Sequence, residues 1–273
     1  MNKNSNPLNL AHLNVLELAP PDVIAVAETA GFRTAGLRLS PARPEETPPP
    51  VYGDTPMRRD LISRIEDSGV GILEIELLWL RRQTELRSYE PFLELGALLG
   101  AKNVITCCDT TNLSEAQDMF EKACDMAAPY KLNMNLEFLP WIGIGRFDQA
   151  LTIVTKANRR NGKMMLDPLH LSRTGVSFSR IAEVDTSLIA YAQICDAPLP
   201  PPVDMDAIAF EAKFERMLPG QGDLPLGDYV SLLPAGIPLS VEVAFPIRLG
   251  LTAYERASQA MMHTTALLNA RAE

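Results

Sequence analysis

Four side chains with oxygen donors stand in short apolar runs of the second half of the chain. Glu137 lies in Met134-Asn-Leu-Glu-Phe, Asp167 in Lys163-Met-Met-Leu-Asp, Gln193 in Ala190-Tyr-Ala-Gln-Ile and Glu242 in Leu239-Ser-Val-Glu-Val. Burying a carboxylate costs several kcal/mol unless a cation or a polar partner offsets it. A paired core charge explains one such residue; four of them point to a metal. Three carboxylates and one amide oxygen form a hard, all-oxygen donor set. Such a set favours Mn²⁺ or Mg²⁺, and accommodates Co²⁺, over zinc, which prefers nitrogen and sulfur. The expectation is one divalent cation held by Glu137, Asp167, Gln193 and Glu242. Internal pairing with Lys163 or Arg38 is the alternative, and it leaves the clustering of polar residues at the ends of these runs unexplained.

The elements that must position these residues alternate from end to end. A first strand is expected around Leu8–Leu16, followed by a helix from Pro20 to about Ala30 with Gly31 as its stop, the usual Pro-first, Gly-last asymmetry. Strands follow at Thr34–Ser40, Gly71–Leu77 and Asn103–Cys108, with helices over Met57–Asp67, Pro91–Leu99 and Ser114–Tyr130, the last capped by Ser114. The second half repeats the rhythm. Strands are expected at Asn133–Phe138, Lys163–Leu166, Ile189–Ile194 and Leu239–Val243, and helices over Asp148–Asn158, Phe178–Val184 and Ala253–Ala270.

Eight strand–helix units without a break in composition imply one domain over residues 1–273 with a parallel sheet. No Gly-rich phosphate loop follows the first strand, which argues against an open dinucleotide-binding sheet and for a closed (β/α)8 TIM barrel. Residues two apart on a strand share a face. That parity puts Asn133, Asn135 and Glu137 on one face of the fifth strand, and Ser240 and Glu242 on one face of the eighth. Lys163, Met165 and Asp167 share a face in the sixth, as do Tyr191 and Gln193 in the seventh. The apolar residues then meet the helices, and the four candidates point into the barrel at its C-terminal end, where barrel enzymes place their chemistry.

Composition narrows the function classes. Hydrophobic residues make up 47% of the 273, enough for a large core. A net charge of −9 argues against a nucleic-acid surface. No apolar stretch approaches the roughly 18 residues of a membrane span, and the first residues lack a signal core. Cys107, Cys108, Cys124 and Cys195 have neither metal nor disulfide spacing and read as small buried hydrophobes in a reduced, cytoplasmic setting. Self-association is left open.

Five segments, in order, resemble the xylose isomerase-like barrels, the sugar phosphate isomerase/epimerase family. They are Leu136-Glu-Phe-Leu-Pro-Trp141, Leu166-Asp-Pro-Leu-His170, Gln193-Ile-Cys-Asp-Ala-Pro198, Arg216-Met-Leu-Pro-Gly-Gln-Gly222 and Ser240-Val-Glu242. The resemblance puts the metal ligands on Glu137, Asp167, Gln193 and Glu242, and makes Glu137 and Glu242 the acid/base pair as well. Many members carry His where this chain has Gln193; Gln there resembles hydroxypyruvate isomerases and bacterial 3-dehydroshikimate dehydratases, and the stretch from Gln193 to Gly222 looks closest to the dehydratases. The first half of the chain shows no such match. By family position His170 is a catalytic or substrate-binding group that hydrogen-bonds the substrate carbonyl, against the ordinary reading of a lone packed histidine. Arg216 is expected to bind a substrate carboxylate or phosphate, with a solvated helix-end arginine as the alternative, and Trp141 and Trp79 either to wall the pocket or to pack in the core.

A divalent cation holding a carbonyl and a neighbouring hydroxyl acidifies the adjacent C–H, and paired carboxylates move that proton through an enediolate. The leading expectation is therefore a metal-dependent isomerase or epimerase of a small polyol or keto-sugar-like substrate. A 3-dehydroshikimate-type dehydratase stands second, and a non-catalytic metal-binding barrel third. A multi-zinc endonuclease would need more than three histidines and a basic groove. In the first half, Arg38, Glu74 and Glu76 are expected to pair with one another, with a catalytic role as the alternative. Arg81 and Arg82 read as solvated charges, His12 as a residue near the barrel mouth and His263 as packing. The proline-rich loops Pro41–Pro50 and Pro198–Pro202 are expected to lie over the active face.

Overall fold

A computed structural model describes residues 6–43, 45–245 and 250–270 of the chain. Its eight strands are β1 (Leu8–Leu10), β2 (Thr34–Arg38), β3 (Gly71–Leu80), β4 (Asn103–Cys108), β5 (Asn133–Glu137), β6 (Gly162–Met164), β7 (Ala192–Ile194) and β8 (Leu239–Val241). Every pairing is parallel, in the order β6-β5-β4-β3-β2-β1-β8-β7. The two ends of that order meet where the Gln193 N–H donates to the Leu166 carbonyl at 2.9 Å. This is the TIM barrel that the alternation of elements anticipated.

Strands buried on both faces must be apolar outward and still fill the lumen. Outward, Val104, Leu136, Met164, Ile194 and Val241 join one continuous core with the helices. Inward, Leu73, Leu77, Ile105, Cys107, Met165 and Tyr191 form a second, smaller cluster. The helices begin and end on local chemistry. In α1 (Pro20–Ala30) prolines open the helix and Gly31, at φ +86°, closes it. In α2 (Pro56–Ser68) the Thr55 hydroxyl caps the Arg58 N–H, and α3 (Glu90–Leu98) again has proline in its first turn.

Several boundaries differ from the sequence expectation. The first strand stops at Leu10, and His12–Val15 turn into a 3-10 helix. Helix α4 (Leu113–Ala127) starts one residue early because Asn112, not Ser114, is its cap: Asn112 Oδ1 accepts from the N–H groups of Ser114 and Glu115. After α5 (Phe147–Ala157) come three helices absent from the expectation: α6 (Pro168–Arg173), α7 (Met205–Phe214) and α8 (Leu226–Leu232). The last helix, α9 (Ala253–Ala270), keeps the expected limits. Position 44, within the loop Pro41–Pro50, lies outside the described residues, as does the amino-terminal stretch read for a signal core. Among the described residues no helix is long and apolar enough to cross a membrane.

Candidate metal centre and active site

The C-terminal ends of β5 to β8 deliver the acids. Glu137 is the last residue of β5, and Glu242 directly follows β8. Asp167 stands between β6 and α6, where it caps the helix: its Oδ1 accepts from the Leu169 N–H at 2.7 Å and the His170 N–H at 3.3 Å. That cap turns the first helical turn back over the barrel. The His170 Nε2 then lies 3.6 Å from Glu137 Oε1 and 3.6 Å from Asp167 Oδ2. One donor atom from each of Glu137, Asp167 and His170 falls within 4.8 Å of the others, a spacing that a single metal ion can span.

Arg216 enters the same cluster from the loop after α7. Its Nη1 is 2.7 Å from Asp167 Oδ2, its Nη2 3.0 Å from Glu242 Oε2, and its Nε donates to the Ala212 carbonyl at 2.7 Å. Its guanidinium is thus occupied by the acids themselves, where the sequence reading had it facing substrate. Lys163 and Arg38, the partners considered for the acids, bond other groups. Lys163 donates to the Ser187 carbonyl, and Arg38 pairs with Glu76 at 2.9 Å. Gln193 is fully buried in β7, and neither its amide oxygen nor its amide nitrogen has a hydrogen-bond partner among the described residues; the same holds for both ring nitrogens of His170. Buried polar atoms left unpaired are costly, and an unpaired imidazole against Glu137 and Asp167, with an unpaired amide on the neighbouring strand, points to a missing partner.

Charge is divided unevenly over this cluster. Burial would raise the Asp167 carboxyl, yet the Arg216 guanidinium, His170 and the Leu169 N–H together bring it below the usual carboxylate range. Burial pushes Glu242 well above that range, and the charges of Glu137 and Asp167 push the same way against Arg216. Both acids share one guanidinium. Asp167 also accepts two backbone N–H bonds, whereas Glu242 faces a further acid, so their opposite directions are physically consistent.

Above the acids lies a cavity of about 320 Å³, lined by Glu137, His170 and Glu242 and walled by Trp79 and Trp141. The Trp141 ring meets the His170 ring edge-on with centroids 5.5 Å apart. Trp79 is pinned by its indole N–H on the Ala42 carbonyl and covered by Arg81, whose guanidinium carbon is 4.1 Å from the ring centroid. Asp167 and Gln193 do not line the cavity; they sit deeper. Of the residues expected to pair in the first half, Arg38 and Glu76 do so, while Glu74 bonds instead to Asn9 and Ser240. His12 is buried; its Nδ1 accepts from the Arg38 N–H at the end of β2, and its Nε2 lies 3.1 Å from the Leu18 carbonyl. Arg82 pairs with Glu115 on the surface, and His263 lies beside Gln221.

Sequence reasoning missed the clamp that holds α6 in place. The Arg173 guanidinium makes two 2.7 Å bonds to Glu211 of α7 and a third, at 3.0 Å, to the Pro198 carbonyl. Nothing in the local sequence marks Arg173 as buried, because its partner is supplied by a helix that the proline-rich run concealed.

Residues 111–244 match the family model described as xylose isomerase-like TIM barrel. The fold is that of the xylose isomerase-like TIM barrels. The chain is 31% identical over 153 residues to the inosose isomerase of Bacillus subtilis, covering 54% of this chain and 52% of that protein. It is 29% identical over 130 residues to the 3-dehydroshikimate dehydratase of Pseudomonas aeruginosa, covering 46% of this chain and 20% of that protein. The matched region thus spans about half the length of the first relative and a fifth of the second. Among solved structures, the IolI protein described with a zinc atom superposes with a TM-score of 0.82 at 23% identity, over 97% of this chain and 99% of that one.

Proposed function

We propose that this xylose isomerase-like barrel is a divalent-metal-dependent enzyme that removes and returns a proton next to the carbonyl of a small polyol or keto-sugar-like substrate, as an isomerase or epimerase. One observation carries the reading: Glu137, Asp167 and His170 each bring a donor atom within 4.8 Å of the others, with Glu242 tied to Asp167 through Arg216, and His170 and Gln193 carry buried polar atoms that find no hydrogen-bond partner among the described residues. These residues fit a cation, since they supply oxygen and imidazole donors in a water-poor place with more acid than Arg216 alone can offset. Glu137, Asp167, Gln193 and Glu242 would hold it, with His170 at its edge. A divalent cation bound there polarises a substrate carbonyl and acidifies the C–H beside it.

The chain's own groups complete the chemistry. Glu137 and Glu242 reach the cavity from β5 and β8, so one takes a proton from carbon and the other returns it. The His170 imidazole can donate to the carbonyl oxygen as charge develops on it. Trp141 and the apolar wall of Leu77, Ile105 and Ile142 keep water from competing. A dehydratase reading uses the same groups and is favoured by the match to the Pseudomonas dehydratase. When a hydroxyl lies β to the carbonyl, loss of the proton is followed by loss of that hydroxyl, protonated by His170.

Turnover of protein loaded separately with Mn²⁺, Mg²⁺, Co²⁺ and Zn²⁺, assayed against ketoses, hydroxypyruvate, inosose and 3-dehydroshikimate, tests the proposal. Metal-dependent conversion of one class is expected. His170→Ala should lower that conversion on the order of 10²-fold while metal content stays near wild type. Loss of the metal with the imidazole would place His170 among the ligands. Bound metal without turnover in any class would make this a metal-binding barrel without catalysis.

A further inference from the structure

Five cationic side chains line the cavity, and four of them are answered by the protein. Arg38 meets Glu76 at 2.9 Å, Arg43 meets Glu46 at 2.9 Å, and Arg81 meets Asp109 at 3.5 Å. Arg216 is held between Asp167 and Glu242. Lys213, near the end of α7, has no carboxylate or carbonyl partner among the described residues. Its ammonium nitrogen instead sits 5.2 Å from the centroid of the Trp141 ring.

An exposed lysine ordinarily means nothing, because water satisfies it. The placement of this one is specific. The indole beneath it is the one that meets His170 edge-on, and His170 in turn lies 3.6 Å from Glu137 and from Asp167. Lys213, Trp141, His170 and the acids therefore form one unbroken wall from the rim of the cavity to its floor. The cation–π contact restrains the ammonium over the mouth without neutralising it. A molecule anchored by its carbonyl at His170 and extending along the indole would bring its far end to Lys213.

We propose that Lys213, held over Trp141, reads an anionic group on the substrate, so that the protein acts on a carboxylated or phosphorylated carbonyl compound rather than on a neutral polyol. This rests on the functional reading above and sharpens it. Of the two relatives, one is named for inosose, a neutral ring, and the other for 3-dehydroshikimate, which carries a carboxylate beside its ring. The free ammonium favours the second kind of substrate and equally admits a phosphate. A divalent cation held at the floor would offset the charge of the acids there, which also favours an anion.

The test is a selectivity ratio measured on metal-loaded protein. KM and kcat are determined for 3-dehydroshikimate, for a ketose phosphate and for inosose, with wild type, Lys213→Met and Lys213→Arg. The expected result is a KM for one anionic substrate that rises about tenfold in Lys213→Met relative to that for inosose, with kcat little altered and Lys213→Arg close to wild type. The anionic arm that responds separates carboxylate from phosphate. Salt should weaken wild-type binding of that substrate and have less effect on the Met variant. A ratio unchanged within twofold, or turnover of inosose alone, overturns the proposal while leaving the metal-dependent reading intact. If no substrate turns over, the metal-dependent reading fails, and calorimetric binding of 3-dehydroshikimate and of the ketose phosphate to the same three proteins still decides. Weaker binding in Lys213→Met alone supports the anion site, and equal binding in all three removes it.

Discussion

Two buried acid clusters occupy successive levels of one barrel, and they solve the same problem in opposite ways. The upper one holds Asp167 and Glu242 on the Arg216 guanidinium, with Glu137 beside His170, beneath an open cavity. The lower one is built around Glu74 of β3, on strands shared with the first: Ser240 lies two residues before Glu242, and Tyr191 two before Gln193. Here Glu74 Oε1 accepts from Ser240 at 2.6 Å and from Asn9 at 3.0 Å, and no cation reaches it among the described residues. Burial pushes the Glu74 carboxyl up to about 7, with the charges of Glu76 and Glu137 adding to it and Ser240 opposing. The Tyr191 hydroxyl, driven well above the ordinary tyrosine range by burial and by Glu74, forms no hydrogen bond of ordinary geometry among the described residues. Where the guanidinium and two backbone N–H groups converge, Asp167 is held below the usual carboxylate range; where only neutral donors reach the acid, as at Glu74, burial prevails and the proton is held more tightly.

The contrast breaks most visibly at Arg216. Arg216→Met strips the upper cluster of its cation and leaves two buried carboxylates facing each other. The expected loss is about 3–5 kcal/mol in chemical denaturation of the metal-free protein. Saturating divalent metal should recover a good part of that loss, because the ion takes over the compensation that the guanidinium gave. An equal loss with and without metal would mean that Arg216 and the cation do not act on the same charges.

The lower cluster should respond to pH instead. Its folded value of about 7 stands above the usual 4.5. Stability from this group is therefore complete below the unfolded value and is lost as pH rises through the folded one. Glu74→Gln keeps the shape and removes the proton. Its stability relative to wild type should increase by up to about 3 kcal/mol between about pH 5 and about pH 8. A difference that stays flat with pH would show that Glu74 is already compensated, and the two levels would no longer be opposites.

The levels also differ in how far the sequence discloses them. Alternation along the strands is enough to expect the barrel and to turn Glu137 and Glu242 inward, since one-residue slips would bury every charge among the helices. The sixth strand ends at Met164, before Asp167, which reaches the site as a helix cap; the apolar run hides that change of role. Arg216 and Lys213 were harder for a different reason. Their partners depend on α7, a helix that starts with the Asp204 side chain capping the Ala207 N–H directly after a proline run that reads as loop. In the first half, equal parity assigned Arg38, Glu74 and Glu76 to one group. The β2–β3 register shifts between Ala35 and Gly36, and that shift hands Glu76 to Arg38 and leaves Glu74 to Asn9 and Ser240. No local residue pattern announces such a shift.

That register shift supplies the smallest of the expected effects. Gly36 lies in β2 directly across from Glu74 in the pairing, and a Cβ there would stand 2.6 Å from Glu74 Oε1 and 2.9 Å from its Cγ. The carboxyl cannot swing aside cheaply, because Asn9 and Ser240 both hold Oε1. Gly36→Ala should therefore cost about 1–3 kcal/mol through overpacking, despite the gain in strand propensity that alanine ordinarily brings. Glu74→Ala removes the obstructing atoms, so the cost of Gly36→Ala should largely disappear in that background, a coupling measurable in a double-mutant cycle of denaturation midpoints. Additive effects would mean that Gly36 answers to the backbone of β2 and not to the acid. The lower level would then be an ordinary packed layer that happens to contain a glutamate, with no polar cluster for Gly36 to accommodate.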